Sequence, residues 1–434
     1  MKIQPKEKLF PREDSMKIVN TDFATLPSGK NIPEKNNLHK SFSKMLVLAQ
    51  IFGYLPAQGI LGPDFRSLHF TWKSVRVLYA VLTIVGAIFV SVMQMHKIFV
   101  KGFDLMEANR FFFNFSGVVG GILFLKLAIT WPTLIKDWTS VEVSMLSYGW
   151  PAGLNRKLNT LLITFSVMGL VEHLLGQINK LILSLNCNTG VAEGFNYFLS
   201  NMSFSHIFSI MDYDVFKGLT LQAINLQLCF IWTFNDLFVM ILSTALSYRF
   251  SQITARIQSV ADAKIDSEII WKNLREDYNR LCRLCRRVDE EISYIVLMTF
   301  ASDLFFILVQ LFNSLRHLRN DIERIYFYWS FGFLIVRTIS LCLFGAQVND
   351  ESTKPMLVLN SVSSSVYNLE IQRFIQQIGT SEVAITGKNF FSITRGLILS
   401  IAGAIVTYEL VLIQFNDALL KSDPEEEGVC PVYV

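Results

Sequence analysis

Polar and aromatic side chains recur on one helical face inside a long apolar segment of the chain. They lie at spacings of three, four, three and four residues and are Gln222, Asn225, Cys229, Trp232 and Asp236. Such spacing places them one above another on a helix. Polar groups inside a membrane are costly and usually face protein or a watery cavity. Amides and carboxylates in a cavity bind hydroxyl groups, and an aromatic ring covers an apolar ligand face.

Three neighbouring apolar segments carry similar stripes. One contains Glu172, His173, Gln177, Asn179 and Lys180. The second contains Thr299, Asp303, Phe306, Gln310 and Asn313. The third contains Tyr326, Trp329, Phe333 and Arg337. Hydrogen bonding between helices, without a ligand, explains any single residue equally well. Four facing stripes together favour a cavity.

These stripes predict a ligand pocket in the outer halves of the third to sixth spans. The candidate ligand-binding residues are Glu172, His173, Gln177, Asn225, Asp303, Gln310, Tyr326 and Trp329. Trp329 is the expected stacking platform, and Glu172 and His173 are expected near the floor of the pocket. An amine or a bitter compound would use the same residue types, so these residues alone do not identify the ligand.

Two opposite charges fall near the middle of adjacent apolar segments. Asp303 and Arg337 are separated by one short predicted loop, so their segments run antiparallel. An unpaired charge at mid-bilayer costs about 3 kcal/mol or more. We therefore predict a structural ion pair between Arg337 and a carboxylate, with Asp303 as first choice and Glu172 or Asp236 as second.

The segments that carry these residues are long enough to cross a membrane. The chain has 434 residues, of which 51% are hydrophobic and 17% charged, whereas soluble domains have roughly 25% charged residues. A bilayer crossing needs about 20 apolar residues. Seven segments qualify, near 76–96, 111–131, 160–183, 219–246, 292–315, 325–347 and 396–416. The alternation of apolar and polar residues that marks the strands of a β-barrel does not appear in these segments. The sequence therefore predicts an all-α polytopic membrane protein with seven transmembrane helices.

The distribution of basic residues predicts the orientation of the spans. With the N-terminus inside, the inside segments hold 27 Lys and Arg residues and the outside segments hold six. Positive charges favour the cytoplasmic side. We therefore expect a cytoplasmic N-terminal segment at 1–73, spans one to four within 74–247, spans five and six within 292–347, a seventh span at 396–416 and an extracellular tail at 417–434. Residues 45–62, too short to span, are expected to lie against the membrane surface.

Two cytoplasmic stretches are predicted to be helical. Residues 248–291 hold nine basic and eight acidic residues around an apolar stripe. They form either a solvated helical extension of spans four and five or a stalk where subunits meet. An apolar stripe needs a cover, which favours the stalk. Residues 348–395 are similarly amphipathic.

Signatures of enzymes and metal sites are missing from the sequence. It has no Walker loop, no G-x-G-x-x-G after a strand, no H-E-x-x-H and no G-x-S-x-G. Cys282 and Cys285 have no second pair to complete a zinc site. Cys187 and Cys430 both fall outside in this topology, where they could pair. A net charge of +3 gives no reason to expect a nucleic-acid partner. Neither catalysis nor a cofactor is predicted.

The last predicted span resembles a family signature. Residues 407–415 read TYELVLIQF, which is similar to the Thr-Tyr, five mostly hydrophobic residues, Gln-Phe pattern of insect gustatory receptors. The departure is Glu409, the first of the five. Residues 59–64 (GILGPD) and 278–297 resemble the sweet-taste subfamily of these receptors.

The resemblance implies a function that composition and spacing do not show. It implies a sugar-gated cation channel in the plasma membrane of sensory neurons, assembled as a homotetramer or as a heteromer with related receptors. The last helix of each subunit would line the central pore, with Thr407, Val411 and Gln414 on the pore face and Phe415 at the gate. The alternatives are a G-protein-coupled-type receptor, which has the reverse orientation, and a secondary transporter, which predicts inverted repeats.

The topology predicts which of two sequons can carry a glycan. Asn201-Met202-Ser203 lies in the second outside loop, and Asn114-Phe115-Ser116 lies inside a span. Asn201→Gln should abolish the glycosidase-sensitive mass shift of the expressed protein, and Asn114→Gln should leave it unchanged. A shift that survives Asn201→Gln and disappears in Asn114→Gln would contradict this topology.

Overall fold

The structure, a computed structural model, describes residues 38–102, 105–188, 190–314 and 321–419; of residues 101 and 412–419 it describes the backbone only. These residues form eleven α-helices, with a π-helical turn at Phe198–Ser203. The helices are α1 (Leu38–Ile51), α2 (Val75–Lys101), α3 (Leu105–Ser144), α4 (Leu154–Asn186), α5 (Val191–Tyr197), α6 (Ser205–Phe208), α7 (Val215–Asp262), α8 (Glu268–Ser314), α9 (Asp321–Asn360), α10 (Leu369–Thr380) and α11 (Arg395–Leu419).

Six helices in the described part of the chain are long and apolar enough to cross a membrane. They are α2, α3, α4, α7, α8 and α9, and each contains one of the first six predicted spans. The protein is therefore an all-α multi-pass membrane protein. The seventh predicted span lies within α11, whose side chains are described only as far as Val411. A seventh crossing stays a prediction.

Helix α7 lies at the centre of the bundle. It packs against α2, α3, α4, α8 and α9, and its apolar segment is 83% buried, compared with 17–56% for the other five long helices. Its N-cap is Asp214, whose carboxylate accepts hydrogen bonds from the backbone N–H groups of Phe216 and Lys217. Because α7 contacts all five other long helices, its side chains determine what lies between them.

The prediction that residues 45–62 lie on the membrane surface is wrong. Helix α1 packs into the bundle, where the ring of Phe42 lies 6.2 Å from Trp131 and 5.7 Å from Trp138. The apolar residues of α1 start before residue 45, at Leu38 and Phe42, and they form one buried helical face. That face meets α3 and α4, so it is covered by protein and not by lipid.

The charged stretch 248–291 consists of the end of α7, a turn and the start of α8. Its apolar stripe is buried within the chain: the ring of Tyr278 lies 5.2 Å from Phe374 of α10, and its hydroxyl donates to the carbonyl oxygen of Ser352 at 3.0 Å. Arg275 of α8 and Glu370 of α10 form an ion pair at 2.8 Å. Because α9 and α10 cover the stripe, the stripe itself does not require a second subunit.

The segment between α10 and α11 is attached to the long helices by polar contacts. Asp289 of α8 accepts hydrogen bonds from the backbone N–H and the hydroxyl of Thr386, at 2.6 and 2.9 Å. Arg395, the first residue of α11, pairs with Asp350 of α9 at 2.6 Å. The start of α11 is therefore attached to both α8 and α9.

The predicted pairing of Cys187 with Cys430 concerns a different part of the chain. Cys187 is disulfide-bonded, and Cys430 lies outside the described residues.

Candidate ligand cavity

A cavity of about 300 Å³ lies between the long helices, at the end where α4 finishes and α7 begins. Its walls come from α2, α3, α4, α7, α8 and α9, together with the π-helical turn and α6. This volume is at the lower end of the range of about 300–1,000 Å³ for small-molecule pockets. Both polar and apolar side chains line the walls.

Six of the eight candidate ligand-binding residues line this cavity. They are Glu172, His173, Gln177, Asn225, Gln310 and Tyr326. The predicted stripe on α4 also contributes Asn179 and Lys180, and the stripe on α7 also contributes Cys229 and Trp232. The stripes meet because α4, α8 and α9 all pack against α7.

The other two candidates, Trp329 and Asp303, do not line the cavity. Trp329 lies on the outer surface of α9 and is 37% exposed. Tyr326 and Ser330, four residues apart, share the face towards the cavity, and Trp329 is rotated by about 100° from Ser330. Asp303 pairs with Arg337 and is not among the residues that line the cavity. In the predicted stripe on α9, Tyr326 lines the cavity and Phe333 and Arg337 are buried, so Trp329 is the member of the stripe that points outward.

Sequence reasoning missed two walls of the cavity. One comes from the first two spans and contains Gln94, Asn109, Arg110, Phe113 and Asn114. The other comes from the connection between α4 and α7 and contains Met202, Ser203, Phe204 and His206. Gln94 and Asn114 are polar residues inside apolar spans, which is the signal that marked the other walls. The connection has no such signal, because its short helices show no extended periodicity. Asn201, the predicted glycan acceptor, is half-buried beside this second wall.

One wall carries a chain of hydrogen bonds between polar side chains. The hydroxyl of Ser330 donates to Glu172 Oε1 at 2.6 Å, and Gln310 Nε2 donates to the same hydroxyl at 3.4 Å. Glu172 is 8% exposed and Ser330 is 3% exposed. The three side chains hold one another in place, so acceptor oxygens of Glu172 and Gln310 are presented in a fixed arrangement.

Another wall is aromatic and centres on Trp232. Its ring lies 5.0 Å from the ring of Phe306 and 6.2 Å from that of Phe113. Within the described residues, the buried indole Nε1–H has no hydrogen-bond partner, and neither does Oε1 of Gln177. Both residues line the cavity. These two atoms are a donor and an acceptor that a hydroxylated ligand would satisfy. Buried polar atoms of Gln94, Asn109, Ser203 and His206, which also line the cavity, likewise have no partner within the described residues.

A buried ion cluster lies directly beneath Trp232. Arg337 has no exposed surface and pairs with Asp236 of α7 and, at 3.0 Å, with Asp303 of α8. Asp303 also accepts a hydrogen bond from Thr338 at 3.0 Å. The guanidinium of Arg337 lies 4.2 Å from the centre of the Trp232 ring, which adds a cation–π contact. The partner predicted first for Arg337 and one of the two predicted second are thus both in contact with it.

The opposite end of the cavity is basic. Arg110 and Lys180 line it together with His206. Next to them, Glu107 contacts Lys97 at 2.7 Å and Arg110 at 3.6 Å. We call Arg110, Lys180 and His206 the basic end.

The predicted pore residues lie on α11. Thr407 and Val411 are exposed in the single chain, and the hydroxyl of Thr407 donates to the carbonyl oxygen of Gly403 at 2.8 Å. Glu409 is exposed as well. The side chains of Gln414 and Phe415 lie outside the described residues.

Comparison with known proteins identifies the family. The trehalose receptor family model matches residues 12–423. The chain is 31% identical to the gustatory receptor for sugar taste 64f of Drosophila melanogaster, over 88% of this chain and 81% of that protein. The chain belongs to the sugar-taste subfamily of insect gustatory receptors. These are receptors and not enzymes.

A second curated protein is similar in sequence over most of its length, and a solved structure is similar in fold. The gustatory receptor 5a for trehalose of Drosophila melanogaster is 29% identical over 89% of this chain and 87% of that protein. The insect olfactory receptor OR5 from Machilis hrabei, solved in complex with eugenol, superposes with a TM-score of 0.61 at 14% identity, over 87% of this chain and 98% of that one. The second likeness concerns the fold alone.

The ion cluster predicts an order of stability among variants of the receptor. Arg337→Gln leaves Asp236 and Asp303 buried without a cation, which costs about 3–5 kcal/mol. Asp303→Asn leaves Arg337 paired with Asp236 and should cost less. The thermal midpoint of the purified receptor should therefore fall most in Arg337→Gln, less in Asp303→Asn and little in the exposed control Lys354→Gln on the same helix. Equal midpoints for Arg337→Gln and Lys354→Gln would contradict a structural role for the cluster.

Proposed function

We propose that this receptor is a subunit of a sugar-gated cation channel in the plasma membrane of sensory neurons. The observation that carries the proposal is the cavity, which has a polar wall and an aromatic wall, in a chain of the sugar-taste subfamily. A related receptor bears the name of a trehalose receptor, so the ligand class proposed here is a mono- or disaccharide. Cations pass through the pore and the membrane surrounds it.

The chemistry of the two walls suits a sugar. A hexose has hydroxyls around its rim and C–H groups on its faces. On the polar wall, Glu172 and Gln310 accept hydrogen bonds from hydroxyls, and Gln177 and Asn225 can do so beside them. On the aromatic wall, Trp232 covers an apolar face or donates its indole N–H. Trp232 takes the role that the sequence assigned to Trp329.

The distribution of basic residues supports an orientation for this cavity. The N-terminus and the turn between α7 and α8 belong to the predicted cytoplasmic side, which is rich in Lys and Arg. The cavity lies at the opposite end of the bundle, where α4 finishes and α7 begins. A ligand in the external fluid would then reach it without crossing the membrane.

The pore is proposed from the resemblance and from the surface of α11. Large apolar side chains on this helix are exposed in the single chain, among them Leu399 at 76% and Leu410 at 58%. Four copies around a central axis, in a homotetramer or a heteromer, would cover them. Thr407, Val411 and Gln414 then face the pore. Phe415 closes it, because a ring of apolar side chains excludes water from a narrow passage.

A packed path joins the cavity to α11. Phe306 lines the cavity and belongs to a buried cluster with Ile307, Leu311 and Leu334, against which Ile405 of α11 packs. A ligand that moves Phe306 therefore changes the surface on which α11 rests. This contact supports coupling between sugar binding and the pore helix.

Matched tryptophan variants test the sugar site. Trp232→Phe keeps an aromatic ring above Arg337 but removes the indole N–H together with part of the ring surface, so the half-maximal sugar concentration should rise several-fold or more, as expected for a lost hydrogen bond and reduced ring contact. Trp329→Phe makes the same change on the outer surface of α9 and should have no effect. Dose–response curves for trehalose and glucose, recorded from cells with equal surface expression, provide the measurement. A shift in Trp329→Phe with none in Trp232→Phe would place the ligand elsewhere.

The assignment of Phe415 as the gate predicts a current in the absence of sugar when this side chain is truncated. Phe415→Ala removes the apolar ring, so basal current should appear without sugar, and Gln414→Ala should alter conductance or gating. Leu410→Ala, also on α11, is the control and should keep a closed basal state. Whole-cell current without ligand decides the matter. A silent Phe415→Ala together with a leaking Leu410→Ala would show that another face of α11 lines the pore.

A further inference from the structure

The basic end of the cavity has more positive charge than its surroundings neutralise. Glu107 is the carboxylate beside it, and this side chain already contacts Lys97 at 2.7 Å and Arg110 at 3.6 Å and accepts a hydrogen bond from Gln94. Lys180 lines the cavity and, within the part of the chain that the structure describes, forms no salt bridge. Lys180 is half-buried, and an uncompensated charge that is partly removed from water is costly, so a partner for Lys180 is expected in the cavity.

His206 adds an unused hydrogen-bonding group at the same place. Its side chain is 4% exposed and lines the cavity. Neither ring nitrogen has a hydrogen-bond partner in the described residues. Burial lowers the pKa of His206 to about 4. The positive charges of Arg110, Lys97 and Lys180 lower this pKa further, and the negative charge of Glu107 raises it. The ring is therefore neutral, with one N–H available, in a strongly positive surrounding.

A neutral sugar does not meet these requirements. Its hydroxyls satisfy the wall formed by Glu172, Ser330 and Gln310, and they leave the surplus charge at the basic end unchanged. An anion would satisfy it, because hydrogen bonds from a lysine or arginine to an anion are among the stronger ones in proteins.

We propose that Arg110, Lys180 and His206 form an anion subsite at the basic end of the cavity. The two cations hold the anion through charge-assisted hydrogen bonds, and His206 donates its N–H. The anion is either a carboxylate carried by the sugar, as in a uronic acid, or a free inorganic anion such as chloride that binds beside a neutral sugar. The first source rests on the sugar site proposed above, and the second does not.

A binding measurement without channel activity tests the free anion. The thermal midpoint of the purified receptor is measured in sodium chloride and in sodium isethionate at equal ionic strength. Chloride should raise the midpoint of the unmodified receptor in a saturable manner, and Lys180→Gln should abolish the rise. Lys217→Gln, an exposed lysine at the same end of the bundle, should retain it.

A comparison of two sugars tests the ligand-borne anion. If the subsite takes a carboxylate, glucuronate should activate the receptor at a concentration about tenfold or more below that of glucose. Lys180→Gln should remove this preference, so that glucuronate and glucose activate the variant at similar concentrations, whatever the change in its overall sensitivity to sugar. Lys180→Arg, which keeps the charge, should preserve the preference.

Either result that depends on Lys180 supports the subsite and identifies the source of the anion. If neither the chloride effect nor the glucuronate preference changes in Lys180→Gln, the proposal is overturned. If Lys180→Gln is not recovered from membranes, His206→Phe replaces it in both experiments with the same expectations. A receptor that gives no sugar-evoked current contradicts the proposed function, and the chloride experiment still tests the subsite.

Discussion

The packing of α7, α8 and α9 depends on one buried charge, that of Arg337. A guanidinium with no exposed surface in a membrane protein requires carboxylates at the same depth, and Asp236 and Asp303 supply them from two other helices. The pairing ties α7, α8 and α9 together at one level. Trp232 lies on the guanidinium, so its position in the cavity wall follows from the ion cluster below. The aromatic wall at Trp232 is therefore held in place by the ion cluster.

Packing beside the aromatic wall connects the cavity to the helix proposed to line the pore. Phe306 touches Trp232 on one side and shares a cluster with Leu334 on the other, and Ile405 of α11 packs against that cluster. At the far end of the bundle, Arg395 and Asp350 hold the start of α11 to α9. The start of α11 is thus attached to α9, and its middle rests on the cluster that contains Phe306, where a change made by a ligand would act on the helix.

The sequence predicted the helices and much of the cavity, and its failures have physical causes. Six of the predicted spans lie on helices long enough to cross a membrane, and six of the eight candidate ligand-binding residues line the cavity, because polar residues at helical spacing mark inward faces. Trp329 was misplaced because a stripe fixes a face only to within about one residue, or 100°. The wall around His206 was missed because short helices and a π-helical turn carry no period. The burial of α1 was missed because Leu38 and Phe42 precede the apolar window chosen.

The most direct measurement is a cryo-EM density map of the purified receptor, determined with and without bound sugar. With trehalose present, density for the sugar should occupy the cavity between Trp232 and Glu172, and Arg337 should keep its contacts with Asp236 and Asp303 in both states. Sugar density at any other place in the subunit, with the cavity unchanged, would contradict the assignment of this cavity as the ligand site.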